Sequence, residues 1–465
     1  MAALDEFEDT ECIGQGGFGE VYRCRRRSDG QVFARKRILA FPRRDAASDD
    51  VRRFVREVRL LGRLSHPNII PIVAANTSSQ PFWYVTPLYD HSLLTYLPKI
   101  VCRHEQIHPV VAKVMAGVNF AHKNGILHRD LSLGNVLLNS LDDVVVCDFG
   151  LARSVDDVDS TRTQSLQFFG TRYFMPPEAH EMGSKYADER GDIYSIGRLV
   201  VALYLGVLKH SFQGVIGLPD AVRQCVGSLA TEYEARLETM EEAEASWRRV
   251  PVTLSNWEAF SLDLLRTAVS YADGGHREAA INDAIRHIES QRLFRMTAAD
   301  PHAPMPRALA AHYTSFARAL FSFLCVAPLA MLLYFQRARP KLFVQLVRHA
   351  ARFLTGAIDE LPALFRRDML ARAHELFAHI ENVEVRLELM IIALTILVAQ
   401  QGKRATAENV VSAMFSESFE SSEMAVLCKG LRSWWKKRGA SQTEMPPVRA
   451  EEFAEPFQEF FASCR

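Results

Sequence analysis

The chain has 465 residues, 48% hydrophobic and 24% charged, with 55 Lys and Arg balanced by 55 Asp and Glu. That is long enough for two or three domains and ordinary for a folded soluble protein. A formal net charge of zero argues against a general nucleic-acid binder, which needs a basic excess to collect phosphates, so no nucleic-acid partner is expected.

The eight cysteines include no C-x-x-C pair and no metal-ligand run with histidines. They read as free thiols in a reducing compartment, and a cytoplasmic location is expected. The opening MAALDEFEDTE is acidic and lacks an apolar run, which argues against a cleaved secretion signal.

In chain order, the first element of interest is Gly14-Gln15-Gly16-Gly17-Phe18-Gly19-Glu20-Val21. Glycines at this spacing let backbone amides approach phosphate oxygens. A dinucleotide-binding turn would open a helix here. Instead VYRCRRR and VFARKRI read as two strands joined by Ser28-Asp29-Gly30, so the glycines form the turn of a hairpin. Lys36 follows on the second of those strands and needs a carboxylate to hold its ammonium against phosphates. Glu57 is the candidate. It lies on a predicted helix, 49–64, whose Val51, Phe54, Val55, Val58, Leu61 and Leu64 share one stripe. PFWYVTPL (81–88) is a further strand.

Beyond residue 100 the pattern is mostly helical. An apolar helix at 109–123 precedes His128-Arg129-Asp130 and Asn135. Asp130 is suited to accept a hydroxyl proton, and Asn135 to ligate a metal. Asp148-Phe149-Gly150 follows the strand Val144–Cys147, which places a carboxylate at a strand end to hold Mg²⁺ against phosphates. The Glu-rich stretch 228–250 reads as a solvated helical insertion, with a docking surface for a partner or substrate as the alternative.

Taken together, these motifs resemble the eukaryotic-type protein kinase superfamily, Ser/Thr-like, from about Phe7 to about Glu289. The resemblance implies an α+β, bilobal kinase fold with a β-rich lobe (about 1–88) and a helical lobe (about 89–290). It implies ATP and Mg²⁺ as cofactors and a protein substrate. Gly14, Gly16, Gly19, Val21, Ala34, Lys36, Thr86 and Leu88 would line the ATP site, with Thr86 behind the adenine. Lys36, Glu57 and Asp130 would be catalytic, and Asn135 and Asp148 would hold Mg²⁺. Arg129, Glu178, Asp192 and Arg277 would be structural, with Glu178 paired to Arg277 and Asp192 bracing the catalytic loop. Thr163 and Ser165 are the candidate activation-loop phosphosites.

One position departs from the pattern. The family's Ser/Thr members carry a lysine two residues after the catalytic aspartate, where this chain has Ser132. Two readings follow: an active but slow Ser/Thr kinase, and a nucleotide-binding scaffold. Retention of Lys36, Glu57, Asp130, Asn135 and Asp148 favours the kinase, because a scaffold has no chemical need for both metal ligands.

After a linker (291–304), residues 305–465 read as an all-α domain, a bundle or irregular solenoid that could dock a regulatory or scaffold protein. Ala319–Gln336 lacks a formal charge over eighteen residues and is followed by Arg337, Arg339 and Lys341. A membrane-associated protein, anchored through 319–336, is therefore the alternative to the cytoplasmic reading. Pro328 and the equally apolar neighbouring helices, which need a common core, weigh against it.

Overall fold

The structure is a computed structural model. It describes residues 6–16, 19–38, 49–149, 153–154, 173–182, 188–206, 217–274, 277–291, 307–358, 363–399, 405–417, 419–438, 453 and 455–463. The chain divides into two compact units: Met1–Gly206 with Asp220–Thr253, and Val207–Pro219 with Leu254–Arg465.

The first unit begins with five antiparallel strands, β1 (Phe7–Gly16), β2 (Gly19–Arg26), β3 (Val32–Arg37), β4 (Ala74–Asn76) and β5 (Trp83–Pro87), in the order β1-β2-β3-β5-β4. Strand alternation puts Ala34 and Lys36 on one face of β3 and Phe33 and Arg35 on the other. Phe7, Cys24, Phe33, Trp83 and Val85 cluster on the second face. Helix α1 (Asp49–Leu61) buries Val51, Phe54, Glu57, Leu60 and Leu61. Phe54 and Val51 join Ile38, Phe82 and Tyr84 in a second cluster, so the apolar stripe read from the sequence is what seats this helix on the sheet.

The helical lobe of this unit contains α2 (Leu93–Ile100), α3 (His104–Lys123), α4 (Pro177–Met182), α5 (Glu189–Leu205), α6 (Asp220–Leu229) and α7 (Met240–Arg248). Short strands carry the loops between them: β6 (His91–Ser92), β8 (Val136–Leu138) and β9 (Val144–Val146) form one sheet, and β7 (Ile126–Leu127) pairs with β10 (Arg153–Ser154). Helix α5 is buried from Asp192 to Leu205, its last two turns, Leu199–Leu205, being wholly apolar. Gly117 of α3 is needed for a close approach, because a Cβ there would lie 2.5 Å from the Asn68 carbonyl oxygen.

The Glu-rich stretch is not a solvated insertion. Helix α7 buries Met240, Ala243 and Trp247, spaced three and four apart, and the Trp247 indole donates to the His108 carbonyl oxygen at 3.1 Å. Its glutamates collect at the N-terminal end, where Thr239 and Glu242 form a capping box and oppose the helix dipole. Net charge concealed an apolar stripe.

The second unit is helical: α8 (Asn256–Ala272), α9 (Arg277–Ser290), α10 (Arg307–Val326), α11 (Leu329–Ala338), α12 (Pro340–Ala357), α13 (Ala363–His379), α14 (Val383–Ala399), α15 (Ala405–Phe415), α16 (Ser421–Arg438) and α17 (Glu455–Ser463). Helix α14 is buried along most of its length and packs against α12, α13, α15 and α16. Helices α8 and α9, expected inside the first domain, pack on each other, and α8 packs on α10. By compactness the second unit thus takes in α8 and α9 from Leu254 onward.

The apolar run 319–336 does not form one straight helix. Pro328 separates α10 from α11, which are bent by 117°, because proline removes a backbone donor and clashes with the preceding turn. Arg372 of α13 donates to the carbonyl oxygens of Leu324, at 3.2 Å, and Ala327, capping the end of α10. Among the described residues no single helix is long and apolar enough to cross a membrane.

His349 of α12 lies buried with its Nδ1 2.9 Å from the Tyr313 hydroxyl. Burial, then the neighbouring Arg352 and Arg348, pushes its pKa down to about 3. The unfolded chain takes up a proton near pH 6.5 and the folded unit does not. Stability should therefore fall as pH drops below about 6.5, by at most about 1.4 kcal/mol per pH unit. Thermal unfolding of the full chain at pH 7 and pH 5 checks this, and His349→Gln is expected to flatten the dependence.

Candidate active site

The hairpin of β1 and β2 carries the glycines, with Gly14 opposite Val21 and Gly16 opposite Gly19. A Cβ on Gly19 would lie 2.1 Å from the Arg37 carbonyl oxygen, so β3 lies too close for any side chain there. Across the sheet Val21 pairs with Lys36, Lys36 with Tyr84, and Ala34 with Thr86. The expected ATP-site residues on these strands thus share one face. Thr86 is buried, and Leu88 follows directly on β5, half-buried.

On that face the Lys36 ammonium donates to Glu57 Oε1 and Oε2 at 3.0 and 3.1 Å and to Asp148 Oδ1 at 3.0 Å. Burial disfavours the ammonium, but Asp148 and Glu57 outweigh it and hold its pKa well above the ordinary lysine value. Glu57 is itself buried, which raises its pKa against the pull of Lys36. Its Oε1 also accepts from the Tyr84 hydroxyl at 2.7 Å, a partner that the sequence reading missed.

Asp148 sits in the left-handed region with φ of 60°, as does Arg129 with φ of 69°. Such backbone is uncommon for residues other than glycine and persists where the surroundings over-determine it. Those surroundings are a buried network. Asp192 of α5 accepts from the backbone amides of His128 and Arg129 at 2.8 and 2.7 Å and bonds His122 Nε2 at 2.8 Å. Burial works to raise the Asp192 pKa, but these bonds and the His122 charge keep it below the usual carboxylate value. His122 responds in kind: burial opposes its charge, yet Asp192 and Glu189 raise its pKa to about 9. His128, kept neutral by burial, accepts from the Asp130 amide at Nδ1, 3.2 Å, leaving Nε2–H to donate to the Cys147 carbonyl oxygen at 3.0 Å. This imidazole joins the segment bearing Asp130 to the strand end bearing Asp148.

Asn135 Nδ2 donates to the Asp130 carbonyl oxygen at 2.7 Å and to its Oδ2 at 3.2 Å. Asp130 Oδ1 is buried and has no hydrogen-bond partner among the described residues. Burial, then the charge of Asp148, pushes the Asp130 pKa up to about 7. The site therefore presents a cation, a base with one open oxygen, and an amide and a carboxylate of the oxygen-donor kind that Mg²⁺ takes. Ser132 precedes the short helical turn Leu133–Asn135. Thr163 and Ser165 lie outside the described residues.

Glu178 of α4, for which Arg277 was the expected partner, accepts from Arg236 Nη1 at 2.6 Å and Nη2 at 3.3 Å. Arg236, whose side chain is fully buried, also donates to the carbonyl oxygens of Arg190 and Thr231. Arg277 begins α9 in the second unit and lies over the Tyr271 ring, 5.5 Å from its centroid. A signal for Arg236 was available, since it is the sole base between Leu229 and Trp247. Arg236→Ala is expected to cost about 3 kcal/mol of stability, and Arg277→Ala less than about 1 kcal/mol, measured by thermal unfolding.

A twisted antiparallel sheet carrying a lysine–glutamate pair, above a helical lobe that displays Asp130, Asn135 and Asp148 from a braced loop, defines the bilobal kinase fold. The chain belongs to the protein kinase family: the protein kinase domain family matches residues 7–251, more than half of its length. The match stops where α8 and α9 begin, short of the expected Glu289.

Similar proteins include the serine/threonine-protein kinase TIO of Arabidopsis thaliana, 28% identical over 272 residues, covering 52% of this chain and 20% of that protein. Cyclin-dependent kinase-like 2 of Homo sapiens is 25% identical over 265 residues, covering 53% and 52%. A probable cyclin-dependent kinase 9 of Schizosaccharomyces pombe is 30% identical over 223 residues, covering 44% and 37%. The chain thus spans between a fifth and about half of the length of these relatives.

Proposed function

We propose that this protein is an ATP-dependent kinase that transfers the γ-phosphoryl group of ATP to Ser or Thr hydroxyls of protein substrates. The observation that carries the reading is the buried, unpartnered Oδ1 of Asp130, on a carboxyl held by Asn135 within a loop tied to Asp192. An acceptor in that state suits a substrate hydroxyl, and a group titrating near neutrality suits proton transfer. The hydroxyl oxygen would attack the γ-phosphorus, the bond to the ADP oxygen would break, and Asp130 would take the hydroxyl proton. Lys36, oriented by Glu57, would hold the phosphates, with the backbone of the glycine turn above them. Asn135 and Asp148 would hold Mg²⁺, which supplies neutralisation of the phosphate charge.

Ser132 leaves the transfer without the ammonium that Ser/Thr kinases carry at this position, and one such contact is worth about two to three orders of magnitude in rate. A slow enzyme is therefore expected. Radiolabelled ATP transfer by the purified full chain with Mg²⁺ tests the reading, and Ser132→Lys should raise the rate about tenfold or more. ATP binding without transfer, in wild type and Ser132→Lys alike, would leave a nucleotide-binding scaffold instead.

Autophosphorylation at Thr163 or Ser165 belongs to the same proposal, with Arg129 as the phosphate's partner. Mass spectrometry of active protein that finds both unmodified would remove it. The helical unit, which carries none of the phosphate-transfer motifs, is assigned to regulation or recruitment. Surface substitutions there that alter turnover of neither a protein nor a short peptide substrate would oppose that role.

A further inference from the structure

Glu57 is a buried carboxylate with more acceptor capacity than one lysine can fill, since two carboxylate oxygens offer about four lone-pair sites. Lys36 is also shared, because its ammonium bonds Asp148 as well as Glu57. Any phosphate that draws on this ammonium weakens what Glu57 receives. A buried carboxylate left short of donors is costly, and its easiest relief is for α1 to turn and carry Glu57 towards water.

Tyr84 supplies the missing donor. Its hydroxyl reaches Glu57 Oε1 at 2.7 Å in a buried setting. Burial, then the Glu57 charge, keeps the phenol protonated and able to donate. Its ring meets Phe54, one turn before Glu57 on α1, at 5.4 Å between centroids, and the Lys36 ammonium lies 5.6 Å from its own centroid. One β5 side chain therefore touches both members of the ion pair and the helix that carries one of them. Phenylalanine would fill the same volume but leave Glu57, among the described residues, with Lys36 as its side-chain donor.

We propose that Tyr84 is a positioning residue that latches α1 to the sheet through Glu57, keeping the Lys36–Glu57 pair assembled with or without nucleotide. This rests on the kinase reading above only for its effect on turnover. The latch itself is a property of the free protein.

The test compares wild type, Tyr84→Phe, Glu57→Leu and the double variant in the full chain. Readouts are kcat and KM for ATP, and amide hydrogen exchange across 49–61 without nucleotide. Tyr84→Phe should lower kcat about tenfold and speed α1 exchange by at least that factor. In the Glu57→Leu background, which has no acceptor for the Tyr84 hydroxyl, the same change should have little further effect on α1 exchange, because Tyr84 acts through Glu57. A role in packing alone would leave α1 exchange unchanged or give effects that multiply, and either result overturns the latch. If wild type transfers no phosphate, the functional reading fails and the exchange data alone decide the latch.

Discussion

Asp148→Asn is expected to lower phosphate transfer at least about 1,000-fold while the first unit stays folded. The side chain is 45% exposed and bonds Lys36 from one oxygen at 3.0 Å. In the proposed mechanism it combines two roles: it orients the ammonium and would offer a charged oxygen to a divalent cation. Asparagine keeps the shape and is among the few residues that accept the left-handed backbone observed here, φ of 60°, whereas alanine would add strain. The loss then reports charge rather than collapse. Thermal unfolding and ATP binding measured beside the transfer assay complete the test, and a variant retaining a tenth of wild-type turnover would remove Asp148 from its proposed role.

Asp192→Ala is expected to have the largest effect on stability, about 5 kcal/mol. Its carboxylate serves two backbone amides and one imidazole. Its loss strands both amides and leaves His122 only Glu189, 3.1 Å from Nδ1. Against a total stability of about 5–15 kcal/mol, this lowers the melting temperature by on the order of 10 °C or prevents folding. Asp192→Asn keeps an acceptor and should fall between. The network also carries a pH signature. His122 titrates near 9 when folded and near 6.5 when unfolded. The stability it contributes is therefore complete below about pH 6.5 and is lost as pH rises through 9. The first unit should melt progressively earlier from pH 7 to pH 10, with a shallower decline in His122→Gln.

Much of this site was legible because its chemistry is local in sequence. The glycine turn, the stripe of α1, His128 to Asn135 and Asp148 each carry their own signal within a few residues, and their order along the chain did the rest. Long apolar segments also announced that the chain beyond residue 305 is helical. The misreadings share a different cause. Glu178 lies 58 residues from Arg236, and several arginines were chemically equivalent candidates until packing placed one of them. Charge density at the start of α7 masked Met240, Ala243 and Trp247, although these have ordinary amphipathic spacing.

The sequence by itself determined the protein family, because each of the charged groups that mark it is written into a short motif. It also placed Pro328 within the apolar run, where a residue that cannot donate within a helix weighed against a membrane span. Only the tertiary structure decided what that interruption becomes. Arg372, 45 residues from Ala327, caps the freed carbonyls and stabilises a sharp bend. It likewise decided that Tyr84 should hold Glu57, 27 residues away. Burial turns a distant donor into a necessary one, because a polar group removed from water must find its partner wherever the fold supplies it.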